Sequence, residues 1–277
     1  MPRKTEAPAP TGTVWFVGAG PGDPDLITVK GRRLLEQAGA ILYAGSLVDR
    51  AATTFAAADC EIRDSKDMTL DEMSVWLTER AARHLTVVRL QTGDPGLYGA
   101  LIELTRPLTA ARVPWAVVPG VTSAMASMAA AGETLTLPEV TQTVILTRVA
   151  GRTPMPPGED LAALAAHKTT LCIYLSITLL HKVQEQLRAA GWPEDAPILV
   201  VHKASWPGEE KIVRGTLADI KKKCQTEKIA TQAMIIASPT LGAADWPALI
   251  RSKLYDPAFG HRFRKATAVD HLPESAA

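Results

Sequence analysis

Cysteine is scarce in this chain: Cys60, Cys172 and Cys224 are its three, far apart and never in a C-x-x-C pair. That spacing argues against a disulfide framework or a thiolate metal site, and each is read as a small apolar residue of the interior. The six histidines (His84, His167, His181, His202, His261, His271) do not fall at ligand spacing. The H-E-x-x-H and G-x-S-x-G patterns are missing too, so neither a metal centre nor a serine-hydrolase site is expected. No apolar run reaches the length of a membrane span, and Met1–Pro10 is polar and proline-rich, unlike a signal peptide. Neither sign of charge is in excess. A net charge of +1 over 277 residues provides no field for nucleic acid or a membrane surface. The expectation is a cytoplasmic protein that partners neither. The length suits two α/β domains, and 47% hydrophobic with 21% charged residues is a globular composition.

What the chain does have is a glycine-rich break near its start. Val14-Trp15-Phe16-Val17 runs into Gly18-Ala19-Gly20-Pro21-Gly22-Asp23-Pro24, and a helical pattern follows from about Asp25. That is strand, tight turn and helix, the opening of a nucleotide-type α/β domain. It does not fit a dinucleotide site. The position for the third glycine of G-x-G-x-x-G is Asp23, whose carboxylate would repel a pyrophosphate. Pro21 has no N–H to offer a phosphate. Strand two, Ala40–Tyr43, ends without the acidic residue that would bind a ribose, and the Walker pattern is absent. The loop suits a neutral or cationic ligand. A rigid strand-to-helix connector without any ligand is the other reading of the same turn.

Along the chain, strand and helix patterns alternate through the first half, which predicts a largely parallel sheet. Residues 1–11 read as a disordered arm, 12–136 as an N-terminal α/β domain, 137–255 as a C-terminal α/β domain and 256–277 as a flexible tail. Helices are expected from about Asp25, over Val48–Ala57, from Thr69 (capping box with Glu72), over Leu97–Ala111, over Thr122–Ala131 with Gly132 as its stop, over Thr178–Ala190, and from Thr216 as cap through Lys223. Thr86–Leu90 leads into a second glycine loop, Thr92-Gly93-Asp94-Pro95-Gly96, and Trp115–Val118 leads into a third, Pro119-Gly120-Val121-Thr122-Ser123. In an open parallel sheet ligands bind beyond the carboxyl ends of the strands, and glycine lets a ligand approach backbone closely. Asp94 reads equally well as a ligand contact and as a cap for the helix expected at Leu97. Acidic rather than basic loops favour a ligand with a positive centre, such as S-adenosylmethionine. The second half places Arg148 and Arg152, then His202-Lys203, then Lys211 and Arg214 near its own strand ends. Singly each reads as a solvated charge; together they suggest an anionic substrate.

These residues resemble the signatures of the tetrapyrrole (precorrin) methyltransferases. Val17–Pro24 with Leu26 and Thr28 is similar to that family's first motif, Thr92-Gly93-Asp94-Pro95 to its second and Val118–Ser123 to its third, and the similarity spans about residues 13–240. Tyr43–Val48, Leu137-Pro138, Gln142–Arg148, Gly151–Pro154 and Ala204–Pro207 resemble the branch that methylates C-11 of precorrin-4. Ala44 departs from the branch acting on uroporphyrinogen III, where an Asp usually follows the tyrosine of strand two.

The resemblance implies two α/β domains with mostly parallel or mixed sheets, a homodimer, and S-adenosylmethionine in the inter-domain cleft. It implies cofactor contacts at Pro21, Thr92, Gly93, Asp94, Leu97, Thr122, Ser123, Leu175, Ala204 and Ala233. Gly20, Asp23, Ser46, Arg148, Arg152 and Lys203 would face an anionic tetrapyrrole, metal-free or cobalt-containing, and no general base is assigned. A dinucleotide-dependent oxidoreductase and a non-catalytic ligand-binding protein are the competing classes.

Overall fold

The computed structural model describes residues 12–248 and 252–267. The expected arm at 1–11 and the end of the expected tail, 268–277, lie outside the described residues. The first sheet holds β1 (Thr13–Gly18), β2 (Ala40–Tyr43), β3 (Glu61–Asp64), β4 (Thr86–Gln91) and β5 (Trp115–Val118) in the order β3-β2-β4-β1-β5. All its pairings are parallel. The central strands carry apolar residues on both faces, as a doubly covered sheet requires: Val14, Phe16 and Val17 in β1 and Val87, Val88 and Leu90 in β4 are fully buried. Helices α1 (Val29–Glu36), α2 (Leu70–Ala81) and α3 (Leu101–Ala110) connect the strands.

Around this first sheet three helix expectations differ from the structure, each for a local reason. The chain after the first loop makes a 3-10 turn, Pro24–Leu26, whose first N–H is capped by Asp23, before Thr28 opens α1 by accepting from the Gly31 N–H at 3.1 Å. The segment read as a helix over 48–57 is only a 3-10 turn, Arg50–Thr53, where the Thr53 hydroxyl bonds the Arg50 carbonyl instead of leaving it to a helical N–H. The α3 helix starts at Leu101 rather than Leu97, because Tyr98 (φ 55°) and Ala100 (φ 50°) are left-handed and the Gln91 side chain takes the Gly99 carbonyl. The capping box at Thr69 and Glu72 is present as expected.

The second sheet holds β6 (Val144–Arg148), β7 (Thr170–Tyr174), β8 (Pro197–His202), β9 (Lys211–Thr216) and β10 (Ala233–Ala237) in the order β6-β7-β10-β8-β9. Only β6 and β7 run parallel; β10 is antiparallel to both β7 and β8, and β9 to β8. Helices α5 (Leu161–Ala165), α6 (Leu180–Ala189) and α7 (Ile220–Thr226) accompany it. The α5 segment was not expected; Asp160 caps it through the Ala163 N–H. A 3-10 turn, Ile177–Leu179, precedes α6. The α7 helix begins after Asp219 rather than Thr216, which ends β9 and donates its N–H to the Asp219 carboxylate at 2.7 Å.

The helix after the third loop, α4 (Ser123–Ala131), lies before the boundary expected at 136/137 yet packs on the second sheet. Ala124, Ala126 and Met128 share a core with Tyr174, Leu199, Val201, Met234 and Ile236. A chain of buried hydroxyls ties the following segment to the same sheet: Thr170 bonds the Leu135 carbonyl and Ser238, and Thr240 bonds Ser238 and the Thr134 carbonyl. The chain therefore crosses between the sheets just after β5. Residues 252–267 form a 3-10 turn, Lys253–Tyr255, and a bridge from His261 to Arg264, whose guanidinium bonds the Leu254 and Phe259 carbonyls.

Candidate functional site

The three glycine loops meet where β1, β4 and β5 end. Gly18, Gly93 and Gly120 are stacked so closely that a methyl group on Gly120 would lie 2.1 Å from the Gly93 carbonyl oxygen and 2.8 Å from the Gly18 Cα. No side chain fits at Gly18 or Gly120, and Gly93 holds a left-handed φ of 59°, which accounts for glycine in all three motifs. Gly20 and Gly93 exchange backbone bonds, the Gly93 N–H donating to the Gly20 carbonyl at 2.8 Å. Asp94 completes the arrangement. One carboxylate oxygen accepts from the Gly96 N–H at 2.7 Å and the other from the Gly120 N–H at 2.9 Å. With α3 starting at Leu101, Asp94 caps no helix; it braces the second loop against the third.

The first loop is fastened to the second sheet. The Trp206 Nε1 donates to the Pro21 carbonyl at 2.9 Å, and the Asp23 N–H donates to the Ser205 hydroxyl at 3.1 Å. The Trp206 indole lies flat against Gly22, where an added Cβ would come within 2.0 Å of the ring. Pro21, Gly22 and Asp23 thus each have a partner in this loop after β8. The Lys203 Nζ sits over the same indole, 4.6 Å from the ring centre, and pairs with Glu209.

Beneath these loops, between the two sheets, lies a cavity of about 180 Å³. It is lined by Pro21, Thr92, Gly93, Asp94, Leu97, Thr122, Ser123, Leu175, Ala204 and Ala233, all ten of the positions expected to contact a cofactor. The second set is less gathered. Lys203 lines the cavity. Gly20 is left-handed (φ 78°) and committed to the Gly93 pairing, and Asp23 caps the following 3-10 turn. Ser46 is in the turn after β2, beside the cavity-lining Leu47 and next to Gly45, whose N–H is held by Asp64 at 3.0 Å. Arg148 donates to the carbonyls of Thr153 and Pro154, at 3.3 and 2.7 Å, and so shapes its own loop. Arg152 is exposed on that loop.

Several lining residues were not foreseen. Tyr98 and Tyr174 face each other with ring centres 5.5 Å apart, and the Tyr174 hydroxyl is 2.7 Å from that of Thr122. Burial raises both phenols above their ordinary value, an effect that Arg148 counters at Tyr98 and the Thr122 bond counters at Tyr174, so both remain neutral near pH 7. Ser127, Trp206, Gln232 and Met234 complete the walls. Tyr98, Leu175, Lys203 and Gln232 all hold left-handed backbone without being glycine, the kind of strain that collects at functional sites. Among the described residues no group of His, Cys, Asp or Glu is placed to hold a metal, and no helix is long and apolar enough to cross a membrane.

This arrangement provides backbone acceptors, one braced carboxylate and aromatic faces around an apolar space, a setting for a ligand with a cationic centre. Comparison with known proteins agrees. The family model for tetrapyrrole (corrin/porphyrin) methylases matches residues 13–221. The chain is 48% identical over 252 residues to a cobalt-precorrin-4 C(11)-methyltransferase of Priestia megaterium, covering 91% of this chain and 97% of that one. It is 44% identical over 252 residues to a precorrin-4 C(11)-methyltransferase of Pseudomonas aeruginosa, covering 91% and 98%. A crystal structure of uroporphyrin-III C-methyl transferase from Thermus thermophilus, complexed with S-adenosyl homocysteine, superposes with a TM-score of 0.70 at 30% identity, over 84% of this chain and all of that one.

Proposed function

The chain belongs to the tetrapyrrole (corrin/porphyrin) methylases, and from that premise we propose that it transfers a methyl group from S-adenosylmethionine to C-11 of precorrin-4, giving precorrin-5 in cobalamin biosynthesis. The observation that carries this reading is the convergence of ten motif positions, from both halves of the chain, on one cavity. The residues present fit the donor: the cavity combines apolar walls with the loops at Pro21 and Gly93 and the Asp94 carboxylate, and among the described residues no basic side chain other than Lys203 lines it.

When bound, the donor would supply an electrophilic methyl group on its sulfonium: an electron-rich ring carbon of the substrate bonds to that methyl as the methyl–sulfur bond breaks, and S-adenosylhomocysteine leaves. The protein's contribution is placement. The stacked glycines let the loops close on the ligand backbone-first, and Asp94 keeps two of those loops at fixed separation, so carbon and methyl are held in line. Trp206 and Pro21 roof the cavity and exclude water. Tyr98 and Tyr174 present neutral rings toward the region of positive charge, where an aromatic face attracts a cation. Lys203, Arg148 and Arg152 stand on the tetrapyrrole side, with Gly20, Asp23 and Ser46. Arg152, exposed on the loop after β6, would take a substrate carboxylate. The protein works in the cytoplasm as a homodimer, a reading supported by its free cysteines and by exposed Ile102, Trp115 and Val117 along α3 and the edge strand β5.

The test is turnover with methyl-labelled S-adenosylmethionine and either metal-free or cobalt-containing precorrin-4, with product mass and methyl position read by mass spectrometry. One added methyl at C-11 is expected, and the faster of the two substrates identifies the natural one. A thermal midpoint raised by NAD and not by S-adenosylhomocysteine would point instead to an oxidoreductase. The Trp206 indole against Gly22, which fills the approach a pyrophosphate would need, counts against that reading.

A further inference from the structure

Among the described residues, Ser127 carries the one cavity-lining hydroxyl that is both buried and without a partner. It lies in the second turn of α4, is fully buried, and its Oγ meets no hydrogen-bonding atom of the protein. The helical Ser74, by contrast, turns its hydroxyl onto the Leu70 carbonyl at 2.9 Å. A buried hydroxyl left without a partner is costly, so its place in the cavity wall calls for a partner that arrives from outside.

The surroundings define that partner. Ser123 and Ser127 are one helical turn apart on the same face of α4, and both line the cavity. Opposite them, Val201 of β8 and Met234 of β10 are direct cross-strand neighbours and form an apolar floor. Leu97 adds a further apolar wall. Apart from the Ser123 and Ser127 hydroxyls, this wall of the cavity is apolar. A flat heteroaromatic base, apolar on its faces and polar along its edge, matches it. Met234 is unbranched and able to swing aside as the slot fills.

We propose, resting on the methyl-donor reading above, that Ser127 is a specificity-determining residue that hydrogen-bonds the edge of the donor's purine base between α4 and the Val201–Met234 floor. Replacing it then has opposite effects on the free protein and on binding. Ser127→Ala removes an unsatisfied buried group, so the thermal midpoint of the ligand-free protein stays level or rises. Affinity for S-adenosylhomocysteine, measured by calorimetry, falls about fivefold to tenfold, the size of one lost hydrogen bond. Adenosine, which keeps the base and lacks the amino-acid end, loses the same factor in competition with S-adenosylhomocysteine. Equal affinities of the wild type and Ser127→Ala would overturn the proposal while leaving the methyltransferase reading intact. So would a lowered ligand-free midpoint, which marks a structural hydroxyl, or a loss seen with S-adenosylhomocysteine but not with adenosine, which puts Ser127 against the amino-acid end. Failure of the wild type to bind S-adenosylhomocysteine at all would overturn both.

Discussion

Replacing Gly22 by alanine tests whether the contact between the first loop and Trp206 holds the two halves of the site together. The new Cβ would sit 2.0 Å from the Trp206 Cδ1 and 2.4 Å from its Nε1. Gly22 is not among the glycines with positive φ, so backbone strain contributes nothing and the whole effect is steric. To restore van der Waals contact the ring has to retreat by well over 1 Å, on the order of the gap between these distances and a normal carbon contact. That movement breaks the Nε1 bond to the Pro21 carbonyl, worth about 1 kcal/mol, and lifts the indole from Lys203, worth about 0.5–1 kcal/mol at a partly exposed site. The expected loss is about 1–3 kcal/mol, the usual range for an overpacked contact, and a fall of about 2–4 °C in midpoint per kcal/mol for a chain of this size. The informative experiment is a double-mutant cycle in urea with Trp206→Ala, read together with affinity for S-adenosylhomocysteine. Removing the indole abolishes the clash, so Gly22→Ala should cost almost nothing in that background, leaving a coupling of about 1–3 kcal/mol. Additive effects would refute the reasoning.

Other substitutions probe neighbouring parts of the site. Gly120→Ala forces backbone against backbone at the three-glycine contact, where no flexible side chain can yield, and should cost about 3 kcal/mol and abolish donor binding, checked by denaturation and calorimetry. Asp94→Ala leaves the Gly96 and Gly120 N–H groups without their acceptor; a stability loss of about 1–3 kcal/mol should accompany weaker donor binding, whereas a pure ligand contact would leave stability untouched. Arg152→Ala should raise the KM for the tetrapyrrole severalfold with donor affinity unchanged, and unchanged tetrapyrrole kinetics would remove Arg152 from the substrate face. His202 is held below the ordinary histidine value, first by burial and then by Lys203 and Lys211. The unfolded chain therefore takes up its proton at a higher pH than the folded one, and stability falls as pH drops through and below about 6.5. His202→Gln should flatten that part of the stability profile.

The first sheet was legible because its strands are short apolar runs separated by helical patterns, and burial on both faces leaves that signature. The mixed second sheet was less so, since the reversal of β10 between β7 and β8 depends on pairing between distant segments that alternation cannot reveal. The late start of α3 was hidden because left-handed backbone at Tyr98 and Ala100 is imposed by tertiary contacts, including the Gln91 grip on Gly99. Glycine loops betray themselves in sequence, and Pro21, Thr92, Gly93, Asp94, Leu97, Thr122 and Ser123 line one cavity, whereas Gly20 and Asp23 do not. Charges were harder to read. Arg148 and Lys203 looked free for an anion, but the fold engages them with the Thr153 and Pro154 carbonyls and with Glu209. Trp206 gave no periodic signal, as its role lies in a loop and its partner is 184 positions away at Gly22.

The position of α4 limits how this protein can be recombined with its relatives. It follows β5 in sequence but belongs to the second sheet's core in space. A chimera joined at residue 136 would inherit α4 from one parent and the surface it must fit from the other, so the buried side chains of Ala124, Ala126 and Met128 would face foreign packing. A joint moved back to the turn after Val118 keeps that core within one parent, but it separates Gly120 from the Gly18 and Gly93 it is shaped to meet. Neither crossover point is silent. The inheritable unit is the whole span from β1 to β10, and the seam between its halves is the ligand cavity itself.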